Sequence, residues 1–249
     1  MNKIIRSLYL LYAALIFIGL MFVALPFVLI FSALLPTISG KKWSMFCLKC
    51  WALGFSILSF FWVKTINSYV VDTTKSHIYI GNHGSYLDAI AVCISLPQFF
   101  SPLGKIEMAK IPVFGTIYSR VVVMIDRSNK ESREKSVNVL KTILENGQSI
   151  LIFPEGTMNK TNAPLGDFYD GAFRIAIETQ TPLMPFVMIN NKTLLPRIAP
   201  LRVRPGIIKT IFLGEIAVDG LTLDDLPSLK EKAHRLMEKE ILKHTDPEI

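Results

Sequence analysis

The first 70 residues of this 249-residue chain contain no aspartate or glutamate. Six basic side chains stand there unopposed, Lys3, Arg6, Lys41, Lys42, Lys49 and Lys64, and they make up nearly all of the formal net charge of +7. The rest of the chain is close to neutral, so the positive charge decorates its most apolar part and forms no basic groove through its body. That distribution speaks for a membrane surface and excludes nucleic acid as a partner. Cysteine is scarce: Cys47 and Cys50 have CxxC spacing, but no second pair exists, and Cys93 stands alone on an apolar helix face. Such cysteines read as packing residues of a reduced compartment. Glycine and proline number only 14 each while 51% of the residues are hydrophobic, which excludes a fibrous repeat and a disordered chain. A GxSxG elbow, a Gly-rich Walker loop and a GxGxxG fingerprint are all missing. The chain therefore has no signature of a serine hydrolase, a P-loop nucleotide site or a dinucleotide fold.

What is present begins with hydrophobic length. Between Arg6 and Lys41 run 34 residues without a formal charge. As a helix they would reach about 50 Å, against about 30 Å of bilayer hydrocarbon, and Pro26 near the middle favours a kink. The run is too long for the apolar core of a secretory signal, about 7–15 residues. A second apolar stretch, residues 43–63, is expected to form another helix, with Lys49 snorkelling and Trp51 and Trp62 at interfacial depth. Two kinked or re-entrant helices that enter one leaflet and return keep every basic residue on one side, as two full spans would not. Residues 1–70 are thus expected to be a membrane-embedded two-helix segment, and residues 71–249 a single body.

In that body short runs rich in Ile, Val and Phe alternate with amphipathic segments. Strands are expected at 77–81, 121–125, 149–153, 183–188 and 207–213, and helices at 85–94, 131–145, 171–179 and 226–243. The last helix shows one apolar face of Leu229, Ala233, Leu236, Met237 and Ile241. This alternation predicts an α/β fold with a mostly parallel central sheet flanked by helices.

Chemistry concentrates where one strand runs into Asn82, His83, Gly84, Ser85, Tyr86, Leu87 and Asp88. With Ser85 as a helix N-cap, His83 stands before the helix and its ring can fold back toward Asp88. A carboxylate on one imidazole nitrogen fixes the tautomer and leaves the other nitrogen free to take a proton. No protein nucleophile accompanies the pair, which suggests direct activation of a substrate hydroxyl. Three further segments end near strands: Lys105, Glu107, Pro112 and Gly115; Asp126 and Arg127, whose planar fork suits phosphate; and Phe153-Pro154-Glu155-Gly156-Thr157.

Taken together, these segments resemble the 1-acylglycerol-3-phosphate acyltransferases of the glycerolipid acyltransferase superfamily. The resemblance covers about residues 77–190 in motif order. Asn82, His83 and Asp88 match its first motif, Lys105, Glu107, Pro112 and Gly115 the second, Asp126 and Arg127 an arginine motif, Pro154 to Thr157 the third, and Pro185 a late proline motif. One departure is Asp170, where members often carry a basic residue before Gly171-Ala172. The resemblance implies transfer of a fatty acyl group from acyl-CoA or acyl carrier protein to the free hydroxyl of 1-acylglycerol-3-phosphate, giving phosphatidate, without metal or other cofactor. His83 would be the general base and Asp88 its orienting carboxylate. Lys105 and Arg127 would hold the acceptor phosphate, while Glu155, Gly156 and Thr157 shape its pocket and Asn82, Pro154 and Pro185 support the motifs. Backbone amides near Gly156 are candidate oxyanion donors. The implied location is the inner cell membrane, with the catalytic domain facing the cytoplasm. Rival readings are the same chemistry on another lysolipid or an acylated amino-acid lipid, a thioesterase using water, and a non-catalytic lipid-binding membrane protein.

Overall fold

The computed structural model describes residues 2–244. Helix α1 (Lys3–Leu34) runs on through Pro26, turns at Leu35 and Pro36, and is followed by α2 (Thr37–Leu58). The two form an antiparallel hairpin, closed at its open end by Tyr9 and Tyr12, whose hydroxyls donate to the Ser59 and Leu58 carbonyls at 2.5 and 2.8 Å. Only α1 is long and apolar enough to cross a membrane, by length and composition among the described residues, with a mean hydropathy of 2.9 in its best window. It buries Ala13, Met21, Ala24 and Val28 and leaves Leu8, Leu11, Leu15, Ile18 and Phe22 exposed. α2 buries Trp51, Ala52 and Phe55, and the Trp51 indole N–H donates to the Phe17 carbonyl of α1 at 3.3 Å.

The second helix is shorter than the apolar stretch suggested. Phe60 adopts a left-handed φ of 59°, which ends the helix, and β1 (Phe61–Ile66) follows as a strand. Its partner lies far along the chain, so no local pattern announces it. The order continues with β2 (Ile78–Gly81), α3 (Asp88–Ser95), β3 (Phe100–Lys105), α4 (Phe114–Val121), β4 (Val123–Ile125), α5 (Lys130–Glu145), β5 (Ser149–Ile152), α6 (Gly171–Thr179), β6 (Leu183–Ile189), α7 (Asn191–Leu194), β7 (Gly206–Phe212) and α8 (Leu226–Lys243).

The sheet has seven strands in the order β1-β7-β6-β2-β5-β3-β4, and every pairing is parallel except β6 with β7. Strands β2, β5 and β6 are buried at every position, as strands covered on both faces must be, and their unbroken apolar runs supply that burial. The hairpin, α3 and α4 cover one face, and α5, α6 and α8 the other. On α8 the buried residues are Leu229, Ala233, Met237 and Ile241, the expected stripe, with Leu236 partly buried beside them.

Two elements departed from expectation for identifiable reasons. β3 contains Pro102 and Gly104, which argue against a strand; it changes partner from β5 to β4 just after Pro102. Val121 belongs to α4 and not to the strand expected from 121, which begins at Val123.

In α4, Gly115 packs on the backbone of the preceding turn: a Cβ there would lie 2.0 Å from the Ala109 carbonyl oxygen. Gly115→Ala is therefore expected to destabilise the fold by about 1–3 kcal/mol, as overpacking against backbone does. Thermal unfolding would show a Tm lower by roughly 2–4 °C per kcal/mol; an unchanged Tm would mean that the turn yields freely.

Candidate active site

The centre of the site is a fully buried carboxylate. Asp88 opens α3, and its Oδ2 accepts the Gly84 and Ser85 backbone N–H groups at 2.8 and 3.0 Å as well as Nδ1 of His83 at 2.8 Å. Because this side chain gathers the amides ahead of the helix, α3 starts at Asp88 and not at Ser85. The Ser85 hydroxyl accepts from Leu87 N and donates to the Leu195 carbonyl. The His83 ring stacks on Phe153 with centroids 4.4 Å apart and planes 12° from parallel. Its Nε2 has no hydrogen-bond partner among the described residues.

The main chain of His83 is held from the other side. Its N–H donates to Glu155 Oε1 at 2.7 Å, its carbonyl accepts from Asn159 N at 2.6 Å, and the second Glu155 oxygen accepts from Gly166 N at 2.7 Å. Burial pushes the Glu155 carboxyl above its ordinary value, against the pull of the amide bonds from His83 and Gly166. Both of its oxygens are occupied, so it serves as a clamp on the loop. Asn82 ties the strand end down: its side-chain amide donates to the Met188 carbonyl at 3.0 Å and accepts from Met188 N at 2.7 Å, extending the sheet by a side chain.

The segment after β5 closes a turn in which Gly156 N donates to the Phe153 carbonyl at 2.9 Å. That N–H is thereby engaged, which removes it from the expected oxyanion donors. Gly156 has φ 68°, and a Cβ there would lie 2.8 Å from Nη1 of Arg127. The glycine thus lets Arg127, just beyond β4, donate from Nη1 to the Gly156 carbonyl. Thr157 is exposed on the same turn, while Pro154 is buried and its carbonyl accepts from Tyr169 N at 2.9 Å. Pro185 pairs with Ile80 inside the sheet. Lys105 ends β3 at the same end of the parallel strands as His83, exposed and without a polar partner among the described residues. Asp170, at the departing position, is tied to Lys230 of α8 at 2.5 Å.

Asn191 belongs to this site and escaped the sequence. It is buried, stands 103 residues beyond Asp88, and donates from Nδ2 to Asp88 Oδ1 at 2.5 Å. Its neighbour Lys192 lies against Gly84, donates to the Thr161 carbonyl, and is held below the ordinary lysine value by burial, with Glu155 opposing. The available signal was the polar cluster Asn190-Asn191-Lys192 directly after a buried strand, the same arrangement that drew attention to Asn82 and His83.

A family model described as Acyltransferase matches residues 63–189, just over half of the chain. The chain belongs to the Acyltransferase family. Among curated members, the 1-acyl-sn-glycerol-3-phosphate acyltransferase of Cocos nucifera is 31% identical over 188 residues, 75% of this chain and 58% of that protein. The protein of the same name from Haemophilus influenzae is 32% identical over 166 residues, 66% of this chain and 68% of its own. This acyltransferase-family chain therefore spans a little over half of the plant relative and two thirds of the bacterial one. Its fold matches the crystal structure of the 1-acyl-sn-glycerophosphate acyltransferase PlsC from Thermotoga maritima, with a TM-score of 0.80 over 99% of this chain and 100% of that one, at 18% identity.

Substitutions at two positions test the clamps. Glu155→Ala leaves the His83 and Gly166 amides without acceptors and is expected to cost about 2–4 kcal/mol, since an unsatisfied buried group costs about 1–3 kcal/mol. A Tm within 1–2 °C of wild type, ~1–2 °C being less than the fall expected from even ~1 kcal/mol, would show that the loop holds itself. Asn191→Asp sets a second carboxylate beside Asp88 and is expected to destabilise more than Asn191→Ala; chemical denaturation of the two variants checks the order, and a reversal would deny the contact its importance.

Proposed function

We propose that this chain transfers a fatty acyl group from a thioester donor, acyl-CoA or acyl carrier protein, to the free hydroxyl of 1-acylglycerol-3-phosphate, giving phosphatidate. The observation that carries this reading is His83, whose Nδ1 is bound to a buried carboxylate and whose Nε2 is unpartnered, in a chain of this family. The names of the relatives from coconut and Haemophilus influenzae support the acceptor.

In the reaction, Nε2 of His83 takes the proton of the acceptor hydroxyl as its oxygen attacks the thioester carbonyl. The tetrahedral oxyanion collapses, the carbon–sulfur bond breaks, and the imidazolium returns its proton to the departing thiolate. Asp88 stays anionic throughout, orienting the ring and supporting its positive charge. General-base help of this kind is typically worth about 10²–10⁴-fold, so positioning supplies the remainder. Arg127 and Lys105 hold the acceptor phosphate, and Glu155, Gly156 and Thr157 shape its pocket. Neither metal nor cofactor enters these steps.

The substrate's location accounts for the hairpin. A lysophospholipid and its diacyl product reside in the bilayer, and drawing an acyl chain into water costs about 0.8 kcal/mol per methylene. The α1–α2 hairpin lies in one leaflet of the inner membrane, with the α/β body on the cytoplasmic side. The exposed apolar side chains along α1 and its hydropathy support the part of this reading that puts α1 in a membrane.

The test is to supply acyl-CoA and acyl carrier protein donors with a panel of lysolipids and identify products by mass spectrometry. Phosphatidate is expected from lysophosphatidate, and His83→Ala is expected to lose at least about 10²-fold in turnover while remaining folded. Acylation of a different lysolipid alone would reassign the acceptor, and free thiol released as fast without any acceptor would make the chain a thioesterase.

A further inference from the structure

The first 71 residues are not the only part of the chain without acid. Residues 179–214 also contain no aspartate or glutamate, yet carry Lys192, Arg197, Arg202, Arg204 and Lys209. The fold joins the two stretches. β1 pairs with β7 from Phe61↔Gly206 to Ile66↔Ile211, Gly206 N donates to the Phe60 carbonyl at 3.0 Å, and α1 packs against the turn Pro200–Arg202.

Acid-free sequence does not by itself leave cations unpaired, because carboxylates from elsewhere can reach them. Here none does: Lys3, Arg6, Lys64, Arg202 and Arg204 have no ion pair among the described residues, whereas Lys75, Lys141, Arg174 and Lys230 do. Beside these cations the surface is apolar. Ile198 is 72% exposed, Phe60 52%, Ile207 48%, Trp62 46% and Leu201 45%, with Trp62 directly opposite Ile207 across the strand pair.

Topology fixes which end of the molecule this is. β2 and β6 run parallel and deliver Asn82, His83 and Asn191 at one end of the sheet. β7 runs antiparallel to β6 and β1 parallel to β7, so both begin at that same end, next to the connection that carries Ile198 and Leu201.

We infer that this rim of the α/β body is itself a bilayer-contact surface, in which Ile198, Leu201, Phe60, Trp62 and Ile207 enter the interface while Lys3, Arg6, Lys64, Arg202 and Arg204 meet anionic phospholipid headgroups. It extends the membrane reading above, on which it rests, from the hairpin to the body, and it turns the end bearing His83 toward the headgroup layer. Basic side chains near an anionic leaflet are attracted over about a Debye length, and aromatic and aliphatic groups among them settle at the interface. An acidic protein would also meet the cations. The apolar residues run on to Ile4, Ile5 and Leu8 of α1, all exposed, and that continuity favours a bilayer.

The full chain is reconstituted into vesicles of phosphatidylcholine alone or with phosphatidylglycerol, carrying the photo-crosslinker benzoylphenylalanine at position 198 or, as a control, at exposed position 232 on α8. Position 198 is expected to crosslink to lipid, more on the anionic vesicles, and position 232 is not. The double variant Arg202→Glu/Arg204→Glu is expected to lower the yield at 198 at least about fivefold on anionic vesicles and to leave it unchanged on neutral ones. Crosslinking of 198 to added acyl carrier protein or to a second copy in place of lipid would overturn the inference. So would a yield indifferent to phosphatidylglycerol and to the two arginines, or equal labelling at 232. Crosslinking needs no turnover, so failure of the proposed acyl transfer in its own assay is separable from failure here.

Discussion

Everything around His83 depends on keeping a carboxylate out of water. Asp88 has no exposed surface, and an ion in that position costs several kcal/mol unless donors surround it. Three of its four donors come from the loop just before it, His83, Gly84 and Ser85, and the fourth, Asn191, comes from the end of the neighbouring strand β6. Satisfying one anion therefore shapes the loop after β2, decides where α3 begins and anchors the entry into α7. The Gly84 amide turns inward while the Lys192 stem lies alongside, in ordinary contact distance of the glycine. His83 is positioned as a by-product of solving the burial of Asp88.

Glu155 performs the matching task on the main chain. It receives the amides of His83 and Gly166, so one carboxylate holds the imidazole ring and another holds the backbone that bears it. Two acids within one site invite an assignment as acid and base, yet every Glu155 oxygen is taken and neither faces Nε2 through any bond. The division of labour is orientation by Asp88 and immobilisation by Glu155, which leaves a single proton acceptor. Phe153, stacked on the ring, removes the remaining freedom to flip.

Legibility in the sequence follows the range of the interactions. Strands β2, β5 and β6 were visible because burial on both faces demands unbroken apolar runs, and α5 and α8 because one-sided burial imposes a helical stripe. The His83–Asp88 pair is visible because only four residues separate its members. In sequence β1 looks like the end of a helix, since Phe61, Trp62 and Val63 suit a membrane segment as well as a strand and the deciding partner is Gly206 onward. β3 was hidden by Pro102 and Gly104. Asn191 is hidden for the same reason as β1: its importance lies in an atom 103 residues away, and the polar cluster Asn190-Asn191-Lys192 after a strand does not name that partner.

The reversal between β6 and β7 links these features. In a purely parallel sheet the chain would leave β6 through a long crossover and return to the opposite end; the antiparallel step instead lets the connection 190–205 remain at the end where His83 stands. The parallel pairing of β2 with β6 brings Asn191 to Asp88, and the reversal after it keeps the following connection beside the site. The reversal also sets an acid-free connection beside an acid-free N-terminus, because β1 then pairs with β7 from the same end. The carboxylates nearest the His83 ring are the two buried ones, and their charges are matched by amides and the imidazole. On the proposed reading, an anionic lysophospholipid then approaches a rim whose formal charges are positive, and the acids that hold the histidine in place are turned away from it.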